Sequence, residues 1–567
     1  MHAPSRTHHE QGIVSPYLKT GLLVLLGLAT VYLLAHAVTV LAAGITIGTI
    51  VRETIPAVLA AAAFLLVWAA DIRGVTQGLT PKRLGIGEIV SILALAVLVG
   101  FFIVSLASSY SVTYLLVIGL AIVGVVTSVI LALTSDGPRP VVVFLLAYPL
   151  IAYLESEFNF REALAQVLTV GPFEYTPSLA FIWILSLTVL LRKLVTRQAL
   201  TRTRLDLFIL AWLFVLFLSS LNSRLPLESL QELLNDATMP LLFFVIVNRA
   251  HTRHDVVTLC LALLIASFVR LAILLYFYLL LLQRDVSFGV GASIFKLGVQ
   301  MGALGWIAST LLPLSLAFVA YSPRFRAKLA LLCLTAFSIV VLFAVRIRSA
   351  VIASFLPAFL LMIQVRAKAA WYFAGAMVLT AVLVLAVGTE LLWLDRFQSW
   401  TSLQAIETEQ AQRLDLWQAA ARMTLDHPLL GVGLRMFEEV SPQYLHTDWA
   451  AEGRGSSYAH EVLLHYASAG GLGALAAVLG LHIVALRTAW IIGRKNADPQ
   501  LRALALGLSW AVTSMLLSGL IGGAGFASGN APDRPAGQTD QGLFFWVVVG
   551  LVFSFAELRP EDERVGG

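Results

Sequence analysis

Long, almost unbroken apolar runs recur along the chain, separated by short polar connections. Runs at or near the length of about 20 residues that crosses a bilayer lie near 20–44, 53–71, 86–107, 112–134, 139–154, 178–192, 205–220, 238–248, 256–283, 297–321, 329–345, 349–366, 370–392, 460–486, 503–523 and 542–557. Several are short, 238–248 most of all, so the pattern predicts roughly 14 to 16 crossings. Helical periodicity is weak inside the runs, as expected of helices that face lipid all round. No internal repeat and no low-complexity stretch interrupts them. The predicted class is an all-α polytopic membrane protein with one large polar segment, about 393–459, that contains amphipathic helix.

Basic residues sort the connections. Those at 73–83 (Arg73, Lys82, Arg83), 192–204 (Arg192, Lys193, Arg197, Arg202, Arg204), 249–253 (Arg249, Arg253), 324–328 (Arg324, Arg326, Lys328), 366–368 (Arg366, Lys368) and 487–502 (Arg487, Arg494, Lys495, Arg502) are rich in Lys and Arg. Simple alternation of the spans puts all six on one face, which the positive-inside rule makes cytoplasmic. The segment 393–459 then lies on the opposite, external face, and function is to be sought there.

Composition agrees and excludes other classes. Of 567 residues, 59% are hydrophobic and only 13% charged, with a mean hydropathy of +0.86. Soluble domains carry about 25% charged residues, and a disordered chain lacks this much apolar surface. The formal charge of +5 is explained by the basic connections and needs no nucleic acid. Two cysteines, Cys260 and Cys333, both in apolar runs, exclude a disulfide framework and a CxxC site. The polar N-terminus (MHAPSRTHHEQG) lacks the short apolar core of a cleaved signal.

Three elements carry candidate chemistry. Within QRLDLWQAAARMTLDHPLLGVG (412–433), Leu414, Trp417, Ala421 and Leu425 form an apolar stripe at helical spacing. The spacing predicts a helix along the membrane surface, ended by His427-Pro428, with Gly431 and Gly433 in the turn. Arg413 lies one turn before Trp417, and an i,i+4 pair with Glu409 accounts for it without any function. Next, YAHEVLLHYASAGG opens a span at Tyr458, with His460 and Glu461 at its mouth. An imidazole there serves either as a proton acceptor or as a polar anchor. His465 reads as a packed residue inside the helix, and Gly470, Gly471 and Gly473 as sites of close packing. Third, in AVRIRSA (344–350), Arg346 and Arg348 fall at an external helix end. Snorkelling explains one of them; two suit phosphate oxygens, which arginine binds bidentately. Arg270, deep in the run 256–283, must face protein or water. No compact His/Cys/carboxylate spacing predicts a metal, and no phosphate-binding glycine loop predicts a nucleotide.

Taken in order, these elements resemble the O-antigen ligase/polymerase superfamily of bacterial envelope glycosyltransferases, which includes ligases, chain polymerases and protein O-oligosaccharyltransferases. The likeness rests on Arg348 in RSA, the R-L-D-L-W and H-P-L-L-G-V-G segments, and His460 before G-G-L-G. It covers roughly 285–557, leaving 1–284 as N-terminal spans and 558–567 as a cytoplasmic tail. The resemblance implies that His460 deprotonates an acceptor hydroxyl and that Arg348 and Arg413 hold the pyrophosphate of an undecaprenyl-linked glycan donor, with Arg346 beside them. The reaction it implies is an inverting transfer without metal or other cofactor, at the periplasmic face of the inner membrane. The acceptor is a glycan, lipid A-core or protein hydroxyl. Two departures stand out. Tyr458-Ala459-His460-Glu461 replaces the family's H-A-H-N, so Glu461 either orients His460 or shares its role as base. FKLGVQMG (295–302) replaces a G-x-F-G-N-P-N-like stretch, with Lys296 as a substitute cation. A multi-span transporter or flippase of lipid-linked saccharides is the rival reading, although transporters usually show paired halves. A non-catalytic scaffold is the third.

Overall fold

The computed structural model describes residues 112–156, 169–170, 173–174, 176–284, 290–322, 324–345, 348–388, 403–445, 458–495, 498–522 and 537–558. The spans expected near 20–44, 53–71 and 86–107 and the polar N-terminus lie outside the described residues. The helices in order are α1 (Val112–Thr134), α2 (Arg139–Ser156), α3 (Pro177–Val195), α4 (Asp206–Leu221), α5 (Pro226–Val247), α6 (Arg253–Arg284), α7 (Val290–Tyr321), α8 (Phe325–Val345) and α9 (Arg348–Gly388). They continue with α10 (Leu403–Asp426), the single turn α11 (Phe437–Val440), α12 (Val462–Lys495), α13 (Pro499–Gly522) and α14 (Gly537–Ala556). One two-residue antiparallel ladder, Thr169–Val170 with Phe173–Glu174, is the sole strand pairing among the described residues. The all-α membrane class is therefore correct. By length and composition, Pro177–Val195, Pro226–Val247, Arg253–Leu274, Val462–Arg494 and Pro499–Ile521 can each cross a bilayer, and shorter apolar helices accompany them.

The bundle is layered around α14. Residues 542–555 of that helix are buried on every side, as an all-apolar helix must be when protein surrounds it. Trp546 packs edge-on against Phe243 of α5, with ring centroids 6.1 Å apart, and Phe553 meets the same ring at 5.5 Å. Outward residues of α4 such as Leu207, Leu210 and Phe214 are well exposed, which suits a lipid-facing surface.

Two boundaries differ from the pattern. The runs 349–366 and 370–392 were expected as separate spans joined by a basic loop; instead Arg366 and Lys368 lie inside the continuous α9. The segment QVRAKAAWYF contains no glycine or proline, and Ala, Arg and Lys are strong helix formers, so two charges do not end the helix. At about 1.5 Å per residue, a helix of 41 residues is roughly twice as long as a bilayer core is thick. The short run 238–248 belongs to a helix that starts twelve residues earlier, with Pro226 in its first turn. Its first half is polar but buried: Gln231, Glu232, Asn235 and Asp236 all turn inward. Gln231 donates to Asn235 at 3.1 Å, and the hydroxyl of Tyr466 donates to Asp236 at 3.3 Å. Arg270 is fully buried in protein, which satisfies its requirement to avoid lipid.

The bundle has two unlike ends. At one, the C-terminus of α1 is closed by guanidinium groups: Arg192 pairs with Asp136 at 2.8 Å and donates to the Leu133 carbonyl, while Arg249 donates to the carbonyls of Ser135 and, at 2.7 Å, Ala132. Arg253 joins the same end by bonds to Asp498 and to the Tyr321 hydroxyl, at 3.3 and 3.2 Å. The basic connections 192–204, 249–253 and 487–502 therefore share one end. Replacing Arg249 by Ala strands two carbonyls at the end of α1. We expect a loss of about 1–3 kcal/mol, read as a lower thermal midpoint of the detergent-solubilised protein, with Arg249→Lys falling between.

Candidate functional site

At the other end, the two glycine-bearing motifs meet through their backbones. Inside α12, Gly471 takes φ 71° and ψ −166°, a conformation that is essentially glycine-only, and the helix breaks there. The break releases acceptors and a donor that would otherwise bond within the helix. The turn after α10 accepts the exchange: Val432 N–H donates to Ser468 at 2.9 Å, Gly433 N–H to Ala469 at 3.0 Å, and Leu472 N–H to the carbonyl of Pro428 at 2.8 Å. The hydroxyl of Ser219, at the end of α4, also donates to Ala469 at 2.6 Å. The contact is too close for side chains. A Cβ at Gly471 would stand 2.5 Å from the Pro428 oxygen, and one at Gly431 (φ 62°) 2.5 Å from the Ser468 oxygen. Gly470, Gly471 and Gly473 were expected to ease helix packing; Gly471 instead breaks its helix.

The next residues are held as firmly. Ser229 donates to the Leu434 carbonyl at 2.7 Å, and Arg435, with φ 64°, pairs with Glu228 at 3.4 Å. Below α10 a small separate core forms from Leu416, Ala420, Met423, Met436, Phe437, Val440 and Ala459. The face of α10 turned to the protein is thus Leu416, Ala419, Ala420 and Met423, while Leu414 and Leu425 of the apolar stripe point outward with 52% and 75% exposure.

This packing lays α10 across the mouth of α12, where His460 and Glu461 sit. Arg413 donates to the carbonyl of Ile521, in the last turn of α13, at 2.9 Å, a favourable place for a cation. Its charge also reaches the His460 imidazole. Burial first, and Arg413 second, pull His460 down to about 4, so the ring is neutral at pH 7. The residue has φ 56°, a left-handed conformation that is uncommon outside glycine. Glu461 is buried and caps α12: its two carboxylate oxygens accept from the N–H groups of Leu463 (3.1 Å) and Leu464 (2.6 Å). Burial raises its pKa, and the two amide bonds oppose that rise. Both oxygens thus cap the helix at the residue next to the imidazole.

Arg348 is the first residue of α9. Ser514 of α13 donates to Ala353 of α9 at 2.6 Å, and both helices run from there to the same end. At about 1.5 Å per residue, Arg348 begins roughly 8 Å beyond that contact and Ile521 lies roughly 10 Å beyond it. The backbone at Arg348 is therefore level with the carbonyl that Arg413 holds. The side chains of Arg348 and Lys296, and Arg346 altogether, lie outside the described residues; Lys296 is on α7. Residues 295–302 lie within α7, which starts a few residues before the predicted run 297–321. Among the described residues no group of three or more His, Cys, Asp or Glu could hold a metal ion. Ser219, which holds the Ala469 carbonyl at the break, and Ser229, which holds the Leu434 carbonyl, are not singled out by the sequence; the run SSLNSRLPLES marks them only as turn-forming residues.

Residues 333–479 match the family model described as O-antigen ligase, and the match supports membership of the O-antigen ligase/polymerase superfamily. The matched region contains Arg348, Arg413, His460, Glu461 and the backbone exchange at Gly471. It supports a ligase- or polymerase-type membrane glycosyltransferase role, which in general takes a lipid-linked glycan donor and a glycan or lipid acceptor. No curated protein matches the chain.

Two outcomes follow from this geometry. Gly471→Ala forces a side chain against the Pro428 carbonyl and a helical φ onto the break; the expected result is a lower thermal midpoint and loss of the native packing of α10, read by protease sensitivity at 403–445. For His460, the folded pKa lies below the unfolded value of about 6.5, so the unfolded chain binds the proton first. Stability therefore falls as pH drops from about 6.5 to about 4, and His460→Gln flattens that part of the midpoint-versus-pH curve.

Proposed function

We propose that this protein transfers a glycan from a polyprenyl-pyrophosphate donor to an acceptor hydroxyl at the external, periplasmic side of the bacterial inner membrane. The observation that carries the reading is the packing of α10, which bears Arg413, across the start of α12, so that the Arg413 charge reaches the His460 imidazole, inside the region that matches the O-antigen ligase family. The concentration of basic connections at the opposite end of the bundle supports the external orientation.

The chemistry follows from the charges. His460 accepts the proton of the acceptor hydroxyl as its oxygen bonds to the anomeric carbon. The bond from that carbon to the phosphate oxygen breaks on the opposite face, which inverts the centre and releases the lipid pyrophosphate. Negative charge grows on the leaving oxygens, and fixed cations in a water-poor site stabilise it effectively. Arg413 takes this role, with Arg348 and Arg346 as further pyrophosphate ligands and Lys296 as an additional cation. Guanidinium groups supply the positive charge in this scheme, so the transfer is metal-independent. Glu461 contributes by fixing the start of α12, and so the imidazole.

The test is glycan transfer by the full chain in nanodiscs, supplied with undecaprenyl-pyrophosphate-linked oligosaccharide and lipid A-core. His460→Ala is expected to reduce kcat by about 10²–10⁴-fold, the contribution of a general base, with donor KM little changed. Arg413→Ala is expected to raise donor KM and lower kcat together, Arg413→Lys less so. In the wild type, log kcat/KM stays level down to about pH 5 and falls below it as His460 takes a proton near 4. Full turnover by folded His460→Ala overturns the reading. So does movement of the donor across the bilayer without any new glycosidic bond, which is the result a transporter gives.

A further inference from the structure

The strained backbone at His460 needs something to hold it, and the ring that lies against the imidazole is Tyr458. Their centroids are 4.2 Å apart with 33° between the planes. Tyr458 is itself braced. It meets His465 edge-on at 6.4 Å, His465 meets Tyr466 at 5.3 Å, and Tyr466 meets Trp212 of α4 edge-on at 5.5 Å. The hydroxyl of Tyr466 is tied to Asp236 of α5, and Phe437 of the loop stands 6.4 Å from the far side of His465. A continuous ladder of rings thus runs from the bundle interior to the imidazole. Offset and edge-on ring pairs fix relative orientation as well as burying area.

We propose that Tyr458 is the positioning residue of His460: its ring fixes the plane of the imidazole and keeps water from one face, so that the ring nitrogens meet the acceptor hydroxyl in one orientation. The inference rests on the glycosyl-transfer reading above. Of the charged groups, Arg413 of α10 acts on the imidazole through its field, and Glu461 adjoins it in the chain. Neither presents a ring to the imidazole as Tyr458 does, and Glu461 is committed to the helix amides. The tyrosine hydroxyl has no part in the argument. Phenylalanine therefore suffices, and a side chain of similar bulk without a flat ring does not.

The experiment compares Tyr458→Phe, Tyr458→Leu and Tyr458→Ala with wild type and His460→Ala, using the full chain in nanodiscs and undecaprenyl-pyrophosphate-linked oligosaccharide as donor. Tyr458→Ala and Tyr458→Leu are expected to lose about ten- to a hundredfold in kcat, the scale of a misplaced catalytic group, with donor KM within about twofold. The acidic limb of kcat/KM is expected to move from near 4 toward the ordinary imidazole value of about 6.5 as water gains access. Tyr458→Phe is expected to retain both. Tyr458→Leu guards against misfolding of the alanine variant, and thermal midpoints identify folded material. If His460→Ala is inactive while folded Tyr458→Leu keeps the wild-type kcat and acidic limb, the positioning role is wrong and the function stands. If His460→Ala is fully active, the function itself fails. Loss of kcat in Tyr458→Phe equal to that in Tyr458→Leu also overturns the proposal, because it assigns the effect to the hydroxyl.

Discussion

A helix that breaks inside a membrane protein leaves carbonyls and an amide without their i+4 partners, in surroundings where an unmet backbone group costs several kcal/mol. At Gly471 the carbonyls of Ser468 and Ala469 and the amide of Leu472 are answered by particular atoms of the turn between residues 428 and 433. Because the groups exchanged are backbone, the pairing fixes distance and direction with little freedom from rotamers. The same turn is the continuation of α10, so the position of Arg413 is set relative to the start of α12, and therefore to His460. A loop of this kind would otherwise sample many positions. Here its placement follows from hydrogen bonds that the membrane makes expensive to break.

The electrostatics of the site follow from that placement. An imidazole beside a guanidinium, largely out of water, stays neutral well below pH 7. Neutrality leaves a lone pair to accept a proton, but a conjugate acid near 4 is a weak driving force for taking one from a hydroxyl. The Arg413 share of that depression is coulombic, and an anion bound at the guanidinium offsets it. In the proposed reaction, a pyrophosphate held at Arg413 would counter that share, though not the larger share due to burial, so His460 would be a stronger base with the donor in place than without it.

The two ends of the bundle use arginine differently. Arg192, Arg249 and Arg253 close helix termini and pair with Asp136 and Asp498, so their charge is absorbed by structure at the end where the positive-inside rule places it. Arg413 stands at the opposite end, against that trend, and its carbonyl partner is the end of α13. A guanidinium has five donors in a rigid fork; holding one carbonyl with it orients the rest of the fork. The level reached by the backbone at Arg348, inferred from the Ser514–Ala353 contact, brings a second arginine position to the same height from a different helix.

Most described helices were legible because a bilayer imposes one crude rule, apolar length, that needs no knowledge of neighbours. The rule failed where other physics decided. It split α9 at Arg366 and Lys368 because charge was taken as a break, whereas only a lost backbone bond or a poor helix former ends a helix. It truncated α5 because Glu232, Asn235 and Asp236 read as polar, although protein and not lipid is their surrounding. On α10 alanines 419 and 420 mark the face in contact with protein, which the larger side chains of the stripe through Leu414 and Leu425 do not single out, since close approach favours small residues. The site shows the same division. Residue types at Arg413, His460 and the glycines were readable as motifs, because each chemistry admits few side chains. Their partners are the carbonyls of Ile521, Ser468, Ala469 and Pro428, and a carbonyl is present at every position of every sequence, so no pattern of letters distinguishes the ones that matter.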